Sequence, residues 1–141
     1  MQSRVLTPKN REKTLSDFVG KMDRVIVDVP CSGTGTWRRN PEARWRITKD
    51  SVNEYATIQA GLMDEAWQMT KVGGRMVYMT CSILKQENEN QIEQFLKNNN
   101  DAKLVPIRKQ GISSMDGTLL VSPYSRQMDG FYVAILEKQA D

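Results

Sequence analysis

Histidine is missing from all 141 residues. Its absence removes Ser-His-Asp and Cys-His catalysis, in which an imidazole takes the proton of the nucleophile. Cysteine occurs only twice, at Cys31 and Cys81, too few without histidine to complete the ligand set of a zinc site, so no metal centre is expected. No apolar run approaches the roughly 18 residues of a membrane span, and Met1-Gln2-Ser3-Arg4 does not begin a secretory signal. Glycine is scarce before Asp28: Gly20 stands alone there, so no glycine-rich nucleotide loop can be drawn upstream. These absences leave a small domain, or part of a larger one, expected in the reducing cytoplasm, away from any membrane and with both cysteines as free thiols.

What is present centres on those thiols, because each ends a short apolar run. Arg24 to Val29 leads into Pro30-Cys31-Ser32-Gly33-Thr34-Gly35, and Arg75 to Thr80 leads into Cys81-Ser82. Both runs are rich in Val, Ile, Met and Tyr, and a helical stretch separates them, which reads as two parallel strands of one α/β sheet. Neighbouring strands lie about 4.8 Å apart. Thiols just beyond adjacent carboxyl ends can therefore face a single ligand.

The remaining elements follow from periodicity. Residues 1–22 are polar and weakly patterned, a ragged beginning ahead of a body over 23–141. Arg24 to Val29 is apolar on both faces, as in a buried parallel strand. Ser51 with Glu54 is a capping-box pair, and Val52, Tyr55, Ala56, Gln59, Leu62, Met63, Ala66 and Met69 keep helical spacing up to a stop at Gly73-Gly74. A second helix is predicted from about Gln86 to Lys97, then an extended segment from Ala102 to Ile107, a loop from Gln110 to Asp129, and a final strand from Phe131 to Glu137. That strand is apolar on both sides, which places it inside the sheet and not at an edge. The methionines of the first helix read as core filler.

The net charge of +3 is unevenly spread: residues 1–50 hold 11 Lys and Arg against 6 Asp and Glu, while 51–101 hold 4 against 7. The densest part follows the first cysteine loop, where Arg38, Arg39, Arg44 and Arg46 interleave with Trp37 and Trp45. Arginine holds phosphates bidentately and an indole stacks on an unpaired base, a combination suited to single-stranded nucleic acid. The plainer reading is a solvated basic loop whose tryptophans pack on the domain.

Two thiols, a carboxylate at Asp28 and a basic, aromatic approach suit pyrimidine C5 chemistry. Cytosine C5 is a poor nucleophile until a thiolate adds at C6 and turns the ring into an enamine. A carboxylate at the N3 and N4 edge would stabilise the charge that develops. Two other thiol chemistries fit poorly. A cysteine-loop phosphatase needs arginine six positions after its nucleophile, where Trp37 stands. A thiol-disulfide enzyme pairs its cysteines as Cys-x-x-Cys, whereas these lie 50 positions apart.

Asp28-Val29-Pro30-Cys31-Ser32-Gly33-Thr34-Gly35 with Arg38-Arg39-Asn40-Pro41 and Arg44-Trp45, then Gly73-Gly74-Arg75-Met76-Val77-Tyr78-Met79-Thr80-Cys81-Ser82, then Asp129-Gly130-Phe131-Tyr132-Val133-Ala134-Ile135-Leu136, together resemble the Sun (Fmu-like) family of RNA cytosine-C5 methyltransferases. The resemblance implies that Cys81 adds to cytosine C6 and that Cys31 assists release of the methylated base. It implies that Asp28 and Pro30 lie where the base meets the methyl donor S-adenosylmethionine. Pro30, Ser32 and Gly33 would shape the loop around a flipped base, with Arg38, Arg39, Arg44, Trp45 and Arg46 toward the RNA. The implied fold is the carboxyl-terminal half of a Rossmann-like methyltransferase sheet with its last strand antiparallel. The family's upstream cofactor strand and glycine-rich loop have no counterpart before Asp28, and Ser122-Pro123-Tyr124-Ser125-Arg126 departs from the basic turn of the family. The strand from Arg24 to Val29 should then border an open edge, covered by residues 1–22, by a second copy of the chain or by an amino-terminal half. A non-catalytic RNA-binding or assembly module is the alternative in a different functional class.

Overall fold

The computed structural model describes residues 5–109 and 112–140. Four residues of the expected amino-terminal segment, two of the expected 110–129 loop and the final residue lie outside it. The order of elements is α1 (Arg11–Ser16), β1 (Met22–Asp28), α2 (Lys49–Met69), β2 (Thr70–Thr80), α3 (Glu89–Asn98), β3 (Ala102–Leu104), β4 (Ile107–Lys109), β5 (Ile112–Ser114), β6 (Thr118–Val121), α4 (Pro123–Arg126) and β7 (Phe131–Lys138). No helix among the described residues is long and apolar enough to cross a membrane.

As the sequence predicts, β1 and β2 are parallel neighbours joined through α2, with Val27 opposite Tyr78. β7 runs antiparallel to β2 on its other side, Ala134 opposite Tyr78. The outer edge of β7 is shared end to end: β6 pairs its first half and β3 its last residues. β7 is therefore interior, as its two apolar faces suggested. β6 falls within the stretch expected to be loop, and β4 and β5 form a separate hairpin.

Two boundaries differ from expectation. α2 is capped at Thr48, whose hydroxyl accepts from the Ser51 N–H at 3.1 Å while the Ser51 hydroxyl accepts from the Thr48 N–H at 2.9 Å. The Ser51 and Glu54 pair is thus already inside the helix. At the other end the helix stops at Met69, and Gly73-Gly74 lie within β2. Gly73 has φ +74°, and a Cβ on Gly74 would stand 2.8 Å from the Lys71 and Met22 carbonyl oxygens. The pair marks a register irregularity where β2 meets the start of β1, a role only residues without side chains can fill.

Helices α2 and α3 cover one face of the sheet. Met63, Ala66, Trp67, Ile92 and Phe95 pack on Val27, Val29, Met76, Tyr78, Tyr132, Ala134 and Leu136. Trp67 meets Phe95 edge to face at 5.4 Å, a geometry that adds about 1 kcal/mol to the burial itself. The opposite face is barer than a strand apolar on both sides led one to expect. Ile26 is 66% exposed, and Val133 and Ile135 are half-buried, because no described helix lies over them. Nor do the described residues of the amino-terminal segment pair with the free edge of β1. α1 docks on α2 instead, where Arg11 forms a two-pronged ion pair with Glu65, and among the described residues β1 pairs only with β2.

Candidate active site

The parallel pairing of β1 and β2 brings two loops from their carboxyl ends together. Cys31 and Cys81, 50 positions apart in sequence, lie with their sulfurs 3.2 Å apart, both half-buried and neither in a disulfide. One proton serves the contact. The hydrogen bond from Cys31 pulls the Cys81 thiol down to about 7, against burial and the nearby charges of Asp28 and Glu87. The same bond, with burial, pushes the Cys31 thiol far above its ordinary value. The contact therefore favours a thiolate on Cys81 over one on Cys31, the pairing that makes a sulfur nucleophilic.

Beneath the thiols lies a buried polar cluster centred on Glu87 and Asn88, neither of which periodicity or motif singled out. Glu87 is fully buried at the end of a 3₁₀ turn, Lys85–Glu87. Its Oε1 accepts from the Ser32 N–H at 2.8 Å and from Gln59 Nε2 at 3.2 Å. Its Oε2 accepts from the hydroxyls of Ser32 and Ser82, each at 2.5 Å. Gln59 also donates to the Pro30 carbonyl at 3.0 Å. Asn88, equally buried, accepts from the Thr80 hydroxyl at 2.7 Å and donates to the Ser82 carbonyl at 2.9 Å. Thr34 lies 3.1 Å from the Ser82 hydroxyl and accepts from the Ile83 N–H at 3.0 Å. Ser32, Thr34, Thr80 and Ser82 belong to the two cysteine motifs, and Gln59 is a polar residue on the apolar stripe of α2.

A third loop closes the rim. Gly35 N–H donates to the Cys81 carbonyl at 2.9 Å, and Gly130 N–H, just before β7, donates to the Gly35 carbonyl at 2.7 Å. Gly33 adopts φ +66°, and a Cβ there would stand 4.0 Å from Cys81 Sγ.

The other residues singled out in the sequence are placed as follows. Asp28 is exposed at the carboxyl end of β1, near enough to Cys81 to act on it electrostatically, and Pro30 is exposed beside it. Ser32 is buried, its hydroxyl given to Glu87. Arg39 pairs with Asp129, and Arg38 lies 3.9 Å from the same carboxylate, which ties the basic segment to the loop before β7. Arg44 and Arg46 are exposed, and Arg44 stacks over the ring of Trp45 at 4.3 Å, an indole 77% open to solvent. The structure therefore brings Asp28, Cys31 and Cys81 to one rim. Arg38 and Arg39 are anchored near it by Asp129.

An α/β sheet with a reversed last strand, read with its structural neighbours, is a partial Rossmann-like fold of the S-adenosylmethionine-dependent methyltransferase class. Residues 4–137 match the family described as 16S rRNA methyltransferase RsmB/F, and the chain belongs to that family. It is 42% identical over 118 residues to ribosomal RNA small subunit methyltransferase B of Shewanella oneidensis, covering 84% of this chain and 27% of that protein. Among solved structures, that of PH0851 superposes with a TM-score of 0.79 at 40% identity, over 85% of this chain and 27% of the other. NSun6 from Pyrococcus horikoshii, solved with SFG, superposes with a TM-score of 0.72 at 26% identity, over 92% and 33%. The chain thus spans about a quarter of the length of the curated relative.

Proposed function

We propose that this chain carries the catalytic thiols of an RNA cytosine-C5 methyltransferase acting on ribosomal RNA. The observation that carries the reading is the 3.2 Å approach of Cys31 to Cys81 at the rim shared with Asp28. The relatives' activity on ribosomal RNA supports the substrate class. In this reading the Cys81 thiolate forms a bond to C6 of a flipped cytosine, and the electron pair of the C5–C6 double bond becomes available at C5. Asp28 holds the N3 and N4 edge as charge develops there. S-adenosylmethionine, when bound, supplies an electrophilic methyl group for C5. Transfer of the C5 proton to solvent water then re-forms the C5–C6 double bond as the C6–S bond breaks and Cys81 leaves as thiolate, a release that Cys31 assists.

The residues present fit one side of that cofactor. Asp28 and Pro30 are exposed at the carboxyl end of the outermost parallel strand, where open α/β sheets take their ligands. The structure of NSun6 with SFG, an analogue of S-adenosylmethionine, supports the same choice. Exposed Arg44, Trp45 and Arg46 supply phosphate and stacking contacts for the RNA, while the Ser32-Gly33 backbone lines the base pocket.

The test is covalent trapping on an RNA that carries the target cytosine. In the intact protein, Cys31→Ala should accumulate a protein–RNA adduct that survives denaturation, and Cys81→Ala should form none. Turnover by the wild-type protein, which releases the adduct, should quicken as pH rises through about 7 and then level off, because deprotonation of Cys81 creates the nucleophile. Equal trapping by both variants would sink the assignment of roles.

A further inference from the structure

The Glu87-Asn88 dipeptide is bonded to residues on both sides of both cysteines. On the first loop, Ser32 follows Cys31 and gives its N–H and hydroxyl to Glu87, while Pro30 precedes Cys31 and is tied to Glu87 through Gln59. On the second, Ser82 follows Cys81 and donates to Glu87, while Thr80 precedes it and donates to Asn88. Four donors thus converge on the two oxygens of one carboxylate, and among the described residues none of the ion pairs reaches it. A buried carboxylate without a cation is costly wherever only space has to be filled, since an apolar residue would do that without desolvating a charge. What a carboxylate adds is the capacity to accept from several donors at once. Here three of the donors come from two loops otherwise distant in the chain, and the fourth from α2.

We infer that Glu87 is a positioning residue for the thiol pair: by anchoring Ser32 and Ser82 on one carboxylate it holds Cys31 within hydrogen-bonding reach of Cys81. The inference rests on the two-thiol reading of the site. A contact of this kind needs support to within about half an ångström. Glutamine at this position keeps the shape but replaces one acceptor oxygen with a donor group, so at least one of the converging donors loses its partner and the loops drift apart. Cys81 then loses the proton donor that favours its thiolate.

The test reads the thiols directly and uses no RNA, so its failure is distinct from failure of the methyltransferase reading. Alkylation by iodoacetamide is followed at each cysteine by peptide mapping from pH 5.5 to 9.5. Wild-type Cys81 should titrate near pH 7 and outpace Cys31. Glu87→Gln also removes a charge that holds the Cys81 thiol up, but the Cys31 donor is the larger influence. The Cys81 midpoint should therefore still move toward the free-thiol value of about 8.5, and its reaction at pH 7 should slow by roughly tenfold. Should Glu87→Gln lose cooperative melting, Ser32→Ala and Ser82→Ala each remove one arm of the anchor and should move the midpoint the same way. Tyr78→Phe is the comparison for mere structural weakening, because it deletes a 2.6 Å bond to the Glu87 backbone carbonyl and leaves the carboxylate untouched. It should lower the melting temperature with the Cys81 profile unmoved. A wild-type midpoint in folded Glu87→Gln, or in both serine variants, overturns the inference. So does a Tyr78→Phe shift as large as that of Glu87→Gln.

Discussion

Gly35 and Gly130 meet backbone to backbone, and neither tolerates a side chain. A Cβ on Gly35 would fall 2.3 Å from the Gly130 carbonyl oxygen, and one on Gly130 would fall 2.5 Å from Ile83 Cγ2. Gly35→Ala must therefore push the loop before β7 away from the first cysteine loop, at a cost of roughly 1–3 kcal/mol for overpacking. The loss should appear as a lower urea midpoint, and the covalent RNA adduct of Cys31→Ala should fall when Gly35→Ala is combined with it. An unchanged midpoint would mean that the two loops do not touch. At this scale the convergence of the cysteines and Asp28 on one rim was legible because a polar or thiol residue ending a short apolar strand has a local sequence signature. Glu87 was not, because its meaning lies in Ser32 and Gln59, which are distant in the chain and adjacent only after β1, α2 and β2 have packed.

Among the elements, α2 shows how an N-terminus can be misplaced while the helix is read correctly. Both Thr48 with Ser51 and Ser51 with Glu54 have capping spacing, and Thr48 wins by keeping an extended backbone next to extended Ile47. Thr48→Ala should cost about 1 kcal/mol of stability in urea unfolding. Glu54→Ala, deep in the first turns and outside the box, should stay within about 0.5 kcal/mol of wild type. Equal losses from the two would restore the cap predicted from sequence. The long periodic helix, the two strands that end in cysteine and the interior β7 were legible because each carries its pattern within its own residues. β6 was not: four residues between Gly117 and Ser122 are too few to display a period, and they become a strand only because the first half of β7 offers an unpaired edge.

For the whole molecule the open question is what meets the free edge of β1. Val29 N–H donates to the Met79 carbonyl at 3.2 Å, so by strand alternation the amides of Ile26 and Asp28 point away from β2. Exposed edges of this kind pair with other strands. A second copy of the chain suits this one, because antiparallel self-pairing centred on Ile26 sets Arg24 opposite Asp28 and Val25 opposite Val27. Opposite charges across such a pair stabilise it, by about 0.2–1 kcal/mol. The isolated chain should then sediment as a concentration-dependent dimer, with the Ile26 and Asp28 amides gaining protection from hydrogen exchange as concentration rises. Ile26→Pro removes an outward N–H without breaking the ladder to β2, and should leave a monomer with intact helices. Because the same pairing engages Asp28, a dimer formed this way occupies the wall assigned to the cofactor, and S-adenosylmethionine should bind the Ile26→Pro monomer at least as well as wild type. Wild-type monomers up to high concentration, with Ile26 and Asp28 exchanging freely throughout, would leave the edge unpaired and sink the dimer.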